Sequence, residues 1–165
     1  DSEEQALLQY VSREAARTAM NLLVKRDYAE AELYRKLRDK GYSEFFAGKG
    51  IEYVSAYHYL DDARYARQMI GRYKGTASRK MMMNKMKQKG LSDDVIREVM
   101  EASEWTDEMG ITRELHRRFS SAEQIEEMAD KERQKLIQSL MRKGYGYGDI
   151  THVMRYFGEI DQERV

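Results

Sequence analysis

Apolar residues recur along this chain three and four positions apart, which is the spacing of one face of an α-helix. Three stretches, which start at Leu33, Met82 and Leu136, share a longer pattern. In each, two adjacent apolar residues are followed by an apolar residue at +4, by Lys-Gly at +7 and +8, and by another apolar residue at +9. A lysine in the last turn complements the negative end of the helix dipole, and a glycine just beyond it supplies the left-handed conformation that ends many helices. The pattern therefore predicts three amphipathic helices that end in the same way.

A second apolar group follows each of these glycines. An Ile and a Val stand six and nine positions after Gly90 and after Gly144, but ten and thirteen positions after Gly41. The three pairs are Ile96 and Val99, Ile150 and Val153, and Ile51 and Val54. The difference predicts a four-residue insertion within residues 43–50 of the first copy. We expect it to form a packed loop; the alternative is that Phe45 and Phe46 are exposed there and mark a contact surface.

The spacing of the three glycines predicts the fold. They are 49 and 54 residues apart, a period typical of repeats built from whole helical units. No alternating run of β-branched residues indicates a strand, and the chain contains no proline. We therefore expect an all-α protein of about nine helices, in three tandem three-helix repeats stacked into an elongated, curved body. The predicted divisions are residues 1–60 (a leading helix and the first repeat), 61–103 (the second, basic repeat) and 104–165 (the third).

The composition narrows the class of protein. The 165 residues include no cysteine, which excludes disulfides, thiolate metal ligands and cysteine nucleophiles. No apolar run approaches the ~20 residues that cross a bilayer. The first residues, Asp1-Ser2-Glu3-Glu4, lack the basic and apolar regions of a signal peptide. We expect a soluble, cytoplasmic protein.

The residues that often carry catalysis are isolated in this chain. His58, His116 and His152 have no partner at metal-ligand spacing, and no phosphate-binding loop or nucleophile motif is present. Asp61 and Asp62 form a carboxylate pair, but adjacent aspartates at a helix start act mainly as caps and dipole partners. We therefore expect no enzyme activity, no cofactor and no metal.

Charge is distributed unevenly. Residues 61–90 carry nine Lys and Arg and two Asp, a net formal charge of +7, whereas residues 91–132 carry five basic and thirteen acidic residues, a net charge of −8. Such a pair of segments can orient a charged partner, or it can be two ordinary solvated helix faces. The junction at Gly75 also offers free backbone N–H groups to an anion. The side chains predicted to bind a partner are Arg64, Arg67, Arg72, Lys74, Arg79, Lys80 and Lys87.

Several strings in this sequence resemble one known family. They are Tyr59-Leu60-Asp61-Asp62 followed by Tyr65-Ala66 and Lys74-Gly75, then Arg26-Asp27-Tyr28 followed by Glu32-Leu33 and Leu37, and Lys89-Gly90-Leu91-Ser92. Together with the threefold register they resemble the RecX family, bacterial regulators of the RecA recombinase, over roughly residues 13 to 157. One departure is Ala29, where many members of the family carry Ser or Thr. We expect the cap of that helix to come from Asp27 or to be weaker.

The resemblance implies a regulatory binding protein with a role in DNA recombination, DNA repair and the SOS response. A monomer of this family is expected to lie in the groove of a RecA–DNA filament and to bridge adjacent subunits. Occupation of the groove would hinder ATP hydrolysis, strand exchange and the coprotease activity by which the filament stimulates repressor cleavage. The alternative, which rests on the basic segment itself, is a helical module that binds nucleic acid phosphates directly.

Overall fold

The computed structural model describes residues 1–160, and those residues form eleven helices and no strand. The helices are α1 (Ser2–Lys25), α2 (Glu30–Asp39), α3 (Glu44–Ala56), α4 (Asp62–Tyr73), α5 (Arg79–Gln88), α6 (Asp93–Ala102), α7 (Glu108–His116), α8 (Ala122–Glu126), α9 (Asp130–Arg142), α10 (Tyr147–Arg155) and α11 (Phe157–Ile160). The prediction of an all-α repeat fold is confirmed. The number of helices exceeds nine because α8 and α11 are additional helices of only five and four residues.

The three repeated stretches end with the same backbone geometry. Gly41, Gly90 and Gly144 have φ angles of 96°, 84° and 95°. In each case the residue after the glycine donates its N–H to the carbonyl five residues earlier, and the glycine donates to the carbonyl three residues earlier. The longer bonds join Tyr42 to Leu37 (3.2 Å), Leu91 to Met86 (3.2 Å) and Tyr145 to Leu140 (3.3 Å). This is the Schellman motif, so the repeated Lys-Gly pattern does mark equivalent helix ends.

The predicted insertion in residues 43–50 is wrong. Helix α3 begins three residues after Gly41, just as α6 and α10 begin three residues after their glycines. The buried positions six and nine residues after Gly41 are filled by Ala47 and Gly50 rather than by Ile and Val. Phe45 and Phe46 therefore lie in the first turn of a helix, where Phe45 is exposed, Phe46 is half-buried and their rings meet edge to face at 5.3 Å.

Gly50 has no side chain because α1 packs closely against α3 at this position. A Cβ atom on Gly50 would lie 3.1 Å from the carbonyl oxygen of Ala15 and 3.1 Å from Cδ1 of Leu37. Ala15 and Ala19, on the facing side of α1, are completely buried. The pattern of large apolar residues is interrupted here because a helix backbone, rather than a side chain, fills the space.

The chain folds into two compact units. One comprises residues 1–69 and 86–99, and the other comprises, among the described residues, 70–85 and 100–160. The first unit has a core that includes Leu33, Leu37 and Val54, and the core of the second includes Leu115 and Leu140. Residues of the second predicted repeat contribute to both units. The boundaries of the three repeats stay a prediction.

The two adjacent aspartates at the start of α4 cap two different helices. Asp61 accepts the N–H of Arg64 at 2.9 Å and so caps its own helix. Asp62 accepts the N–H of Glu30 at 2.8 Å, in the first turn of α2. The cap that Ala29 cannot provide therefore comes from Asp62, and the expectation that it comes from Asp27 is wrong. Burial raises the pKa of Asp62, and the hydrogen bond from Glu30 opposes that increase.

In the second unit, too, an aspartate at the start of a later helix caps an earlier helix. Asp107 accepts the N–H of Arg79 at 2.7 Å, in the first turn of α5. Here the helix also has its own cap, since the hydroxyl of Ser78 accepts the N–H of Met81 at 3.1 Å. In both units a carboxylate at the start of a later helix thus completes the N-terminus of an earlier one.

Replacing Asp62 with alanine is expected to lower the free energy of unfolding by about 1 kcal/mol, because the first turn of α2 loses its cap. Urea unfolding followed by circular dichroism measures the change. Asp39→Ala is the matched control, because the Asp39 carboxylate is exposed and has no partner among residues 1–160. Equal stabilities of the two variants would contradict the assignment of the cap to Asp62.

Candidate binding surface

The seven basic side chains singled out from the sequence are divided between the two units. Arg64, Arg67 and Lys87 belong to the first unit, on α4 and α5. Arg72, Lys74, Arg79 and Lys80 belong to the second, around the end of α4 and the start of α5. Six of the seven are exposed, and Arg79 is half-buried.

Two of the three members in the first unit have acidic partners. Arg64 lies 3.6 Å from the carboxylate of Asp27, and Lys87 lies 3.2 Å from that of Asp93. Arg67 has no hydrogen-bond or ion-pair partner among residues 1–160. Arg67 is therefore the member of this group whose charge is fully available to another molecule.

The four members in the second unit fall into two pairs. Lys74 donates to the carbonyl of Ser103 at 2.7 Å, and the guanidinium of Arg79 donates to the carbonyl of Trp105. Trp105 is almost completely buried, so these two cations hold the turn that carries a core residue. Arg72 and Lys80 have no such partner in the part of the chain that the structure describes. A role in partner binding, which stays a prediction for all four, is thus combined with a structural role in Lys74 and Arg79.

A pocket of about 440 Å³ lies next to this segment, within the second unit. Its lining residues come from the turn after α4, from one face of α7 and from the residue that follows α7; they are Gly75, Thr76, Gly110, Arg113, Glu114 and Arg117. The turn needs a glycine because Gly75 has a φ angle of 77°. The N–H groups of Thr76 and Ala77 both donate to the carbonyl of Tyr73, at 3.0 and 3.1 Å. No acceptor for the N–H of Gly75 is found among residues 1–160.

Cations outnumber carboxylates around this pocket. Glu114 is shared by Lys143, Arg117 and Arg118, at 2.7, 3.7 and 3.8 Å. The hydrogen bond from Lys143 lowers the pKa of Glu114 most; together with the charges of Lys143, Arg117 and Arg118 it outweighs burial, which raises the pKa. Arg113 is exposed and has no partner within residues 1–160. The arrangement therefore has positive charge beyond what Glu114 neutralises.

The first unit contains a comparable carboxylate cluster. Glu32 lies 2.8 Å from Arg26 and 3.2 Å from Lys89, and Arg26 stacks over Tyr28 at 3.7 Å from the ring centre. Burial by itself raises the pKa of Glu32, but the hydrogen bonds and charges of Arg26 and Lys89 outweigh it and lower the pKa. The lysine of the repeated Lys-Gly pattern thus binds a half-buried glutamate in two of the three copies, as Lys89 and as Lys143.

The stability of the protein is expected to fall as the pH drops below about 4.5, the ordinary pKa of a glutamate. Glu32 and Glu114 have lowered pKa values in the folded state, so their ionised forms stabilise the fold above that pH. The stabilisation is lost as the pH falls through the folded-state values. Urea unfolding at a series of pH values measures the effect, which is expected to be smaller in the Glu32→Gln/Glu114→Gln variant. The exposed pair Glu98→Gln/Glu101→Gln serves as the control and is expected to keep the dependence of the parent.

Charge counting along the sequence missed the α7 side of the pocket. Arg113 and Arg117 stand in the segment of residues 91–132, whose net charge is negative, so they did not stand out. The only local signal is their spacing of four residues, which places both guanidiniums on one side of α7 and its C-cap. Their approach to the turn at Gly75 depends on tertiary packing.

Metal sites and membrane spans are both missing from the described part of the chain. Within residues 1–160, no three His, Cys, Asp or Glu side chains are grouped so that they could hold a metal ion. None of the described helices combines the length and the apolar character that crossing a membrane requires.

Comparison with known proteins identifies the family. Two family models match, RecX, first three-helix domain, at residues 15–47 and RecX, third three-helix domain, at residues 112–154. The regulatory protein RecX of Vibrio campbellii is 30% identical over 156 residues, which cover 92% of this chain and 97% of that protein. The regulatory protein RecX of Vibrio parahaemolyticus is 30% identical over 152 residues, 90% of this chain and 92% of that protein.

Two solved crystal structures have a fold similar to that of this chain. The crystal structure of RecX from Lactobacillus salivarius matches with a TM-score of 0.74 at 19% identity, over 90% of this chain and 97% of that one. A second crystal structure, of regulatory protein RecX, matches with a TM-score of 0.72 at 18% identity, over 92% of this chain and 78% of that one. From the nearly full-length relatives, the two domain models and the shared fold, we conclude that this chain belongs to the RecX family of regulatory proteins.

Proposed function

We propose that this protein binds the RecA–DNA filament, lies along its helical groove and lowers its ATP hydrolysis, strand exchange and coprotease activity. The observation that carries the proposal is the match to a regulatory protein RecX over 92% of this chain and 97% of that relative. The match leaves little of either protein outside the shared region, so a shared mode of action is the simplest expectation.

The charges of the described residues support binding to an acidic surface. Arg67, Arg72 and Lys80 are exposed and have no partner within residues 1–160. Unpaired surface cations raise the rate at which an acidic partner is captured and fix its orientation, while they cost the fold little. They are therefore suited to a regulator that acts by occupying a surface.

The proposal is tested by co-sedimentation of the protein with purified RecA assembled on single-stranded DNA, together with an ATPase assay of the same mixtures. We expect the protein to sediment with the filament and to reduce ATP hydrolysis at or below one copy per RecA subunit. No co-sedimentation at low salt and an unchanged ATPase rate would refute the proposal. Tight, salt-dependent binding to DNA without RecA would instead favour a direct nucleic-acid-binding module.

Reversing the two unpartnered charges of the second unit is expected to weaken filament binding without unfolding the protein. In Arg72→Glu/Lys80→Glu, we expect an apparent Kd at least about tenfold higher, equivalent to about 1.4 kcal/mol. The melting transition is expected to stay close to that of the parent, because single exposed charges usually change stability by less than about 0.5 kcal/mol.

The matched control is Lys131→Glu/Lys135→Glu, which makes the same charge change at two exposed lysines on α9. We expect this variant to bind as the parent does. If both variants lose affinity equally, net charge rather than the segment around Arg72 governs binding. Lys74 and Arg79 are left unchanged because replacing them would also break their contacts with the Ser103–Trp105 turn. A loss of binding could then result from a loss of folding.

A further inference from the structure

We infer that the pocket formed by the turn at Gly75 and one face of α7 binds a phosphate group. The inference does not depend on RecA, since it rests on the donors that the second unit brings together. The pocket combines the turn at Gly75, which belongs to the basic segment of residues 61–90, with Arg113 and Arg117, which lie outside that segment.

The first donor is a backbone N–H that the fold leaves without an acceptor. Gly75 is buried and lines the pocket, and its N–H has no partner among residues 1–160. The neighbouring N–H groups of Lys74, Thr76 and Ala77 are all bonded to carbonyls of α4. Buried backbone N–H groups in proteins nearly always have an acceptor, so this one marks a position where an acceptor from another molecule fits.

Two guanidiniums supply the remaining donors. Arg113 lies on α7, and Arg117 is the C-cap residue that directly follows the helix with a helical backbone conformation. The two are four residues apart, so they project from the same side toward the pocket that both line. A guanidinium presents several N–H groups in a planar fork, which matches the oxygens of a phosphate. Thr76 adds no donor, because its hydroxyl already donates to the carbonyl of Tyr73 at 2.9 Å.

The charge balance favours an anion over a neutral ligand. The one carboxylate in the lining, Glu114, already bonds to Lys143 and lies near Arg117 and Arg118. Three cations therefore share one carboxylate, and Arg113 adds a fourth positive charge that no carboxylate among residues 1–160 pairs with. An added phosphate would neutralise charge that the protein leaves uncompensated, and Glu114 keeps the guanidinium of Arg117 beside the pocket.

The size of the pocket indicates what carries the phosphate. A volume of about 440 Å³ exceeds the space that a single phosphate ion fills, so part of a larger molecule can enter with it. The same donors suit a phosphodiester of nucleic acid and the phosphate of a small molecule. These two sources share one recognition chemistry, and a titration with one probe of each kind separates them.

The test is a titration of the isotope-labelled full chain followed by amide ¹H–¹⁵N NMR at constant ionic strength. The probes are inorganic phosphate and a short oligothymidylate added at the same phosphate concentration. We expect a saturable shift of the Gly75 amide signal, because a charged acceptor at an N–H changes its shielding. The oligonucleotide binding more tightly than inorganic phosphate would identify nucleic acid as the source, and the reverse order would identify a small phosphate.

Variants separate the pocket from general charge effects. Arg113→Gln and Arg117→Gln are each expected to raise the apparent Kd of the better probe at least about tenfold. Arg97→Gln is the control, because Arg97 is an exposed arginine on α6 that lies outside the pocket. Preserved positions of the remaining amide signals will show that each variant is folded.

Two results would overturn the inference. One is a Gly75 amide signal that does not shift with either probe. The other is a shift that persists with unchanged affinity in the Arg113→Gln/Arg117→Gln variant. Because no RecA is present in these experiments, either failure leaves the proposed binding to the filament untouched, and failure of that proposal leaves the pocket untouched.

Discussion

Gly50→Val is expected to lower the free energy of unfolding by about 3 kcal/mol, because it places extra atoms where two helices already touch. A Cβ at this position would lie 3.1 Å from the carbonyl oxygen and 3.2 Å from the carbonyl carbon of Ala15. These are backbone atoms of α1, so the contact is relieved only if the whole helix moves away from α3. Inserting extra atoms into a well-packed core typically costs about 1–3 kcal/mol, and a fixed backbone puts this site at the upper end.

Gly48→Val is the matched control for this prediction. Gly48 lies in the same helix, two residues earlier, and an added Cβ there would meet nothing within 4 Å. We expect its stability to stay within about 0.5 kcal/mol of the parent, since valine is no worse than glycine in a helix interior. Urea unfolding of both variants provides the comparison. Similar losses at the two positions would contradict the assignment of the loss at Gly50 to the close approach of α1.

Gly144→Ala is the other substitution with a large expected effect, about 2–3 kcal/mol. The residue must adopt a φ angle of 95°, which is unfavourable for any residue with a Cβ. The new Cβ would also collide with the hydroxyl of Ser78. That hydroxyl donates to the carbonyl of Lys143 at 2.8 Å and accepts the N–H of Met81, so moving it breaks the link between the end of α9 and the start of α5.

Gly41→Ala separates the cost of the left-handed backbone from the cost of the collision with Ser78. Gly41 occupies the same place in its Schellman motif, with a φ angle of 96°, but nothing lies within 4 Å of an added Cβ. We expect it to lose only about 1 kcal/mol, the cost of left-handed backbone alone. The difference between the two alanine variants then measures the collision with Ser78. Equal losses would mean that Ser78 moves aside freely and that the link through its hydroxyl contributes nothing to stability.

Glycine is required at positions 50 and 144 for different physical reasons. At Gly144 the repeated pattern already demands a glycine, and the packing of Ser78 adds another reason to keep it. At Gly50 no backbone angle demands glycine; the close approach of the α1 backbone and of the Leu37 side chain does. A glycine such as Gly144 can be recognised from a sequence pattern, whereas one such as Gly50 interrupts the apolar pattern and resembles an insertion.

Features that depend on residues close together in the chain could be predicted. The three helix ends at Gly41, Gly90 and Gly144 are set by hydrogen bonds that span at most five residues, and the all-α fold follows from the same apolar spacing. The cap from Asp61 to Arg64 is equally local. Such features depend on backbone geometry and side-chain type alone, so an unaligned sequence contains the information for them.

Contacts between distant residues could not be predicted in the same way. The carboxylate that caps α2 stands 32 residues away at Asp62, and the lysine that binds Glu32 stands 57 residues away at Lys89. For the cap of α2 the sequence offered a nearer candidate, Asp27, and that nearer one was wrong. Which of several chemically similar groups makes a contact depends on how the helices pack, because a hydrogen bond requires the two atoms to lie within about 3.5 Å.

The same distinction between local sequence and tertiary packing applies to the candidate binding surface. The helical repeat, the resemblance to the family and the concentration of cations in residues 61–90 all follow from the order of the amino acids. Tertiary packing was needed to establish that Lys74 and Arg79 support a core turn, that Arg72 and Lys80 remain unpaired, and that an α7 face meets the turn at Gly75. The physical reason is that the amount of charge is a property of composition, whereas the availability of a charge is decided by the groups that folding brings beside it.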